Sequence, residues 1–147
     1  MKQIAKNSKA SFEYEFIEEF EAGIVLVGSE LKSIRAGKVS VNEAFVTENN
    51  GELFALHIHI AKYTEANRMN HDETRPRKLL LHKNQINKIL GRIKTKGFTV
   101  VVKSMYFKKN LVKLAIALAK GKKLHDKRQT IKERDWNREK QREFKHS

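Results

Sequence analysis

Cysteine is absent from all 147 residues, which excludes a disulfide framework and any thiolate zinc site. Its absence fits a reducing compartment, and because Met1 to Ser11 lacks the apolar core of a signal peptide, the cytoplasm is the expected location. No apolar run is long enough to span a bilayer, so no membrane partner is expected. Glycine is sparse, and Gly37 and Gly97 read as helix stops rather than as parts of a phosphate-cradling loop. There is no Gly-x-Ser-x-Gly elbow and no His-Glu-x-x-His pair, so neither a nucleophilic triad nor a metal centre is expected. The acids between Phe12 and Glu30 could be imagined as the metal cluster of a nuclease. Their alternation along a strand is more simply a solvent-facing wall. Neither a cofactor nor a small-molecule substrate is expected, and the chain does not read as an enzyme.

What remains is positive charge, unevenly placed. Lys and Arg number 31 against 17 Asp and Glu, a net charge of +14. Residues 1–11 carry +3, residues 12–30 carry −6, residues 31–60 sum to zero, residues 61–119 carry +11 and residues 120–147 carry +6. Such a distribution points to a polyanion meeting the second half of the chain. One small domain, a monomer, accounts for the length.

Residues 1–11 read as a flexible basic arm. Between Phe12 and Leu26 the even positions are mostly apolar and Glu13, Glu15, Glu19 and Glu21 are odd, the two-residue period of a strand, with Gly23 able to allow a bend. Gly28 to Gly37 reads as a short helix, with Ser29 as N-cap, Leu31 and Ile34 inward, and Lys32 and Arg35 outward. Asn50-Gly51 joins two strands as a tight hairpin. In the second of these strands Phe54, Leu56, Ile58 and Ile60 are placed on one face and His57 and His59 on the other, as exposed histidines. The run Arg75-Pro76-Arg77-Lys78 is extended by its proline, and with Lys83, Lys88 and Arg92 of the following amphipathic helix it forms a candidate phosphate-binding patch. That helix is expected from about Lys83 to Lys96. Phe98 to Phe107 and Leu111 to Leu118 form an apolar hairpin. About six short strands with two or three helices, without β-α-β alternation, indicate a mainly β fold over residues 12–119, a small antiparallel barrel of OB type.

Residues 120–147 are charged throughout, with Leu124, Ile131, Trp136 and Phe144 as their only sizeable apolar residues. No apolar stripe exists to dock on a core. Arg134, Arg138 and Arg142 recur every fourth residue as a basic ridge beside Asp135, Glu139 and Glu143. Such a tail is expected to be disordered when free and helical when a polyanion takes up its arginines. Trp136 and Phe144 are read as docking or stacking on RNA rather than packing on the domain, a stacked base being worth about 1–3 kcal/mol.

Several of these blocks together resemble the SsrA-binding, or SmpB, family, which partners tmRNA in trans-translation. The resemblance rests on Glu21-Ala22-Gly23-Ile24-Val25-Leu26, on Gly28 to Lys38, on Asn67 with Asn70-His71-Asp72, on Arg75 to Lys83, on Tyr106-Phe107-Lys108, and on Ala117 to Arg128 continuing into Ile131 to Trp136. It implies a barrel that binds the tRNA-like domain of tmRNA, and a tail that enters the decoding centre and empty mRNA channel of a stalled ribosome. By the same resemblance Glu21, Leu80 and His82 are positions tied to tmRNA binding, and Glu30, Lys32, Ser33 and Arg35 form the family's short helix. With Arg75, Arg77, Lys78 and Lys83 these make up the expected RNA-binding set. Ribosome contact is expected of Lys122, Lys123, His125, Asp126, Lys127, Arg128, Ile131, Arg134, Trp136, Arg138, Arg142 and Phe144. His125 sits where relatives place a ring that can stack on a decoding-centre base. Relatives often have Pro where Val102 stands, so a backbone donor is gained here. A structural ribosomal protein with a basic extension is the alternative reading.

Overall fold

The computed structural model describes residues 1–63, 70–95 and 97–122. The long strand foreseen from the alternation of glutamates is β2, Tyr14–Ile24. Two others match it in length, β8 (Phe98–Lys108) and β9 (Leu111–Gly121). They meet in a two-residue turn in which Lys109 and Asn110 both take positive φ, as a right-twisted hairpin requires. Shorter strands are β4 (Phe45–Asn49), β5 (Glu52–Leu56) and β7 (Arg77–Leu80). β4 and β5 join at Asn50-Gly51, again with positive φ at both residues.

These six strands close on themselves. β8 pairs with β4, β4 with β5, β5 with β7, β7 with β2, β2 with β9, and β9 returns to β8, every pair antiparallel. The expected barrel is realised as this ring. Inside it lie Ala22, Val46, Leu53, Ala55, Leu79, Val100, Val102, Leu114, Ile116 and Leu118, where each fully buried aliphatic side chain contributes about 1.5–3 kcal/mol. Helix α2 (Gly28–Arg35) and helix α3 (Lys83–Ile93) seal it through Ile34 and Ile89. Among the described residues a one-turn helix, α1 (Ala10–Glu13), completes the helices.

Residues 1–11, expected as a flexible arm, are structured. β4 pairs with β8 only at Val100 and Val101, which leaves the same edge of β8 open from Ser104 onward. Strand β1 (Lys2–Lys6) fills it, pairing Lys2 with Phe107 and Lys6 with Ser104. Its charge does not prevent this, because an edge strand needs only its backbone and one half-buried face, here Ile4 and Ala5. β8 bulges between Val102 and Ser104, and buried Asn7 holds the bulge. Its backbone N–H donates to the Lys103 carbonyl and its side-chain amide to the Val102 carbonyl, 2.8 and 2.9 Å away. The Val102 N–H donates to the Ala44 carbonyl at 3.1 Å, so the extra donor is used.

Other differences have local causes. α3 ends at Ile93 rather than near Lys96. His57 has a φ of 61°, which breaks the strand after Leu56 and inverts its phase. Leu53 and Ala55 therefore point into the core, Phe54 and Leu56 are only half buried, and Ile58 and Ile60 are buried beyond the break. His59–Ile60 (β6) pairs with Val39–Ser40 (β3) as a separate ribbon. β9 continues past Leu118, since Ala119, Lys120 and Gly121 pair with Phe16, Glu15 and Tyr14, and the Lys122 N–H donates to the Glu13 carbonyl. Residues assigned to the start of the tail thus belong to the ring. Lys123, His125, Asp126, Lys127, Arg128, Ile131, Arg134, Trp136, Arg138, Arg142 and Phe144 lie outside the described residues, as does Asn67.

Candidate nucleic-acid interface

The expected RNA-binding residues separate into two groups, one inside and one outside. The inner group centres on Glu30. As the third residue of α2 it accepts the Val27 N–H through Oε1 at 2.9 Å, so Val27 rather than Ser29 precedes the helix. The same oxygen accepts the Arg75 guanidinium, while Oε2 accepts Arg77 Nε at 2.5 Å. Glu30 and Arg77 are both fully buried. Arg77 arrives there because β7 alternates, placing Arg77 and Leu79 inside and Lys78 and Leu80 outside. Its other nitrogens donate to the carbonyls of Ile58, Asp72 and Glu73 at 2.7, 3.4 and 3.2 Å. Burial alone would push the Glu30 carboxyl up; hydrogen bonds from Arg75, the Val27 N–H and Arg77 outweigh it and hold the group below its ordinary range. Burial lowers Arg77, with Glu30 opposing.

Ser29 and Ser33 are also buried. His71 Nε2 faces the Ile60 carbonyl at 2.9 Å and so must donate, which leaves Nδ1 to accept the Ser29 hydroxyl at 2.8 Å. The Ser33 hydroxyl has no partner among the described residues. Together these bonds clamp α2 to the segment Asn70 to Arg77. The clamp leaves Lys32 and Arg35 exposed, with Lys32 Nζ 5.2 Å from the Tyr63 ring centre.

The basic run Arg75-Pro76-Arg77-Lys78 is therefore not an open phosphate patch. Arg77 is buried, Arg75 is spent on Glu30, and Lys78 lies 3.4 Å from Glu52. Composition hid this, although Arg77 shares parity with the apolar Leu79 and Leu81. On α3, Lys88 pairs with Glu18 at 2.7 Å and Arg92 lies over the Phe98 ring, while Lys83 is exposed.

The outer group forms a groove. β2 and β7 pair through Gly23 and Leu80, and a Cβ on Gly23 would come within 3.3 Å of the Leu80 Cβ, so glycine eases a close approach of the two strands here. The groove, about 340 Å³, is lined by Glu21, Leu80, His82, Gln85 and Lys113 among others. Leu80 is 53% exposed, an apolar side chain facing solvent. The Glu21 carboxylate accepts the Tyr106 hydroxyl at 2.6 Å and approaches Lys108 Nζ at 3.2 Å. The Tyr106 bond, helped by Lys108 and Lys113, holds Glu21 below its ordinary range despite some desolvation. Tyr106 is driven upward, first by burial and then by Glu21. An ionised carboxylate repels phosphate but accepts hydrogen bonds from the amino edge of a base or a ribose hydroxyl. Gln85, Tyr106, Lys108 and Lys113 were not among the expected site residues. The link of Tyr106, Lys108 and Lys113 to Glu21 depends on the register of β2, β9 and β8, which local patterns do not encode, and Gln85 reaches the groove from α3.

A family model described as SmpB protein matches residues 4–146. The chain belongs to the SmpB family. An SsrA-binding protein of Ehrlichia canis (strain Jake) is 59% identical over 143 residues, covering 97% of each chain. An SsrA-binding protein of Rickettsia bellii (strain OSU 85-389) is 56% identical over 142 residues, covering 96% of this chain and 94% of its own. Among solved structures, a chain from a study of tmRNA-SmpB at the centre of the bacterial ribosome superimposes with a TM-score of 0.69 at 39% identity. It spans 86% of this chain and 92% of its own. No helix among the described residues is long and apolar enough to cross a membrane.

Proposed function

We propose that this chain is a non-catalytic, cytoplasmic adaptor that binds the tRNA-like domain of tmRNA and delivers it to stalled ribosomes for trans-translation. The observation that carries the reading is a convergence. Glu21, from β2, and the later pair Leu80 and His82 line one groove beside Gln85 and Lys113, in a chain closely related over nearly its whole length to SsrA-binding proteins. The groove offers a fixed acceptor, an exposed aliphatic surface and cations, which together suit an unstacked part of a folded RNA better than a regular duplex. Lys32, Arg35 and Lys83 add phosphate contacts from the same half of the molecule. Glu30, Arg75 and Arg77, with the Ser29–His71 bond, act by holding α2 in place, and the buried Ser33 hydroxyl adds no hydrogen bond of its own among the described residues. The segment from Lys123 onward serves as the ribosome-probing tail, its ordering cost recovered only where the mRNA channel is empty.

The test is a titration against the isolated tRNA-like domain, competed with bulk tRNA and with plain duplex RNA at near-physiological salt. Binding that survives both competitors is expected. Binding erased by either would put the ribosomal-protein reading ahead. The division of labour has its own test in a chain ending at Lys122, which should bind RNA like the full chain and fail to support tagging. Cutting after Leu118 would be the wrong experiment, since it removes three paired residues of β9.

A further inference from the structure

Three depressions are linked by residues they share. The groove holding Glu21 and His82 shares Gly23, Leu80 and Lys113 with a second, apolar depression of about 380 Å³ that includes Leu26, Leu31 and Leu111. The second shares Asn110 with a third of about 570 Å³, lined by Met1, Lys2, Arg35, Phe107, Lys109 and Asn110. The tip of the β8–β9 hairpin is thus the saddle of one continuous track. Along it the chemistry changes from a carboxylate with donors, to aliphatic surface, to cations with no acid among them.

The cationic end gathers positive charge with no acid in its lining. Lys9, Lys78, Lys88, Lys103 and Lys108 each face a glutamate. Lys2, Arg35 and Lys109 have no ion-pair partner among the described residues, and no carboxylate lines their cleft. They come from β1, from α2 and from the hairpin turn, so only the closed fold brings them to one place. Three like charges around a cleft repel one another until an anion enters. Asn110 adds an amide donor and Phe107 an apolar wall.

We propose that Lys2, Arg35 and Lys109 form a phosphate-binding cleft, so that an RNA seated at Glu21 and His82 crosses the hairpin tip and places a backbone phosphate between them. The inference rests on the adaptor reading and extends it to β1 and the hairpin turn, which carry no assigned role. The cleft supplies affinity without reading sequence, whereas the Glu21 end supplies discrimination.

The experiment uses the full chain and the tRNA-like domain RNA, with affinity followed across a salt series. The double variant K2A/K109A should bind about tenfold more weakly, and the slope of log K against log salt should fall by about 1, the unit for the one phosphate that the protein no longer neutralises. K2R/K109R, which keeps the charge, should retain the wild-type slope. K62A/K94A removes two exposed lysines outside the track and should leave the slope nearly unchanged. Equal losses in the two alanine pairs would overturn the cleft in favour of diffuse attraction, and so would an unchanged slope in K2A/K109A. If bulk tRNA strips the RNA from the unsubstituted chain, the adaptor reading itself fails and takes the cleft with it, an outcome visible without any variant. Thermal melts confirm that each variant is folded.

Discussion

Glu30 and Glu21 are both carboxylates held ionised by their neighbours, yet one is sealed inside the fold and the other lines an open groove. Glu30 has both oxygens engaged by groups of the protein, Val27 and Arg75 on one and Arg77 on the other. Glu21 is held by Tyr106 and Lys108 while its remaining acceptor capacity faces solvent. The difference separates two uses of the same chemistry. A satisfied buried charge orients a helix, and a partly satisfied exposed one is left to recognise a ligand. Depressed carboxyl groups therefore do not by themselves mark a binding site. Residual acceptor capacity and exposure do.

Substitutions can break this contrast. Glu30→Gln leaves two guanidinium groups without their anion, one of them fully buried, and should lower unfolding stability by about 3–5 kcal/mol in urea titrations. A loss under about 1 kcal/mol would mean that Arg77 finds solvent or another partner. Glu21→Gln should leave stability within about 0.5 kcal/mol of wild type while weakening tRNA-like-domain binding about tenfold, because it removes the charge that accepts from the RNA. Equal damage to folding and binding would erase the distinction.

Acid titrates the clamp at Glu30 directly. Glu30 has a folded pKa below its unfolded value of about 4.5, so its stabilisation is complete above that value and is lost as pH falls through the folded pKa. Wild type should therefore lose stability below about pH 4.5 more steeply than the Glu30→Gln variant, read as melting temperature against pH. The smallest effect belongs to Lys88→Ala, which breaks an exposed pair with Glu18 and should change stability by less than about 0.5 kcal/mol.

The legible parts of this fold were those written in short-range pattern. The glutamate alternation of β2, the Asn50-Gly51 hairpin and the apolar spacing of α3 each needed only neighbouring residues. β1 was missed because an edge strand carries little apolar signal, and the phase of Ile58 because a left-handed residue there is a histidine rather than a glycine. Glu21, Leu80 and His82 were reached through family resemblance, and the structure supplies their convergence. The buried Arg77 was misjudged because a run of basic residues looks alike whether a carboxylate waits beneath it or not. Long-range register decides that, and it brings together residues from opposite ends of the chain.

That register has a consequence for how the protein is made. β8 and β9 are neighbours along the chain and can zip at once from their two-residue turn, a pairing of low sequence separation. Their outer edges are then completed by β1 and β2, which leave the ribosome first. The earliest strands must wait, unpaired along one edge, for the last one to be synthesised. Ring closure is therefore a late event in the life of each nascent chain, and β2 is held meanwhile in a segment of net charge −6 whose self-repulsion disfavours pairing with its own copies.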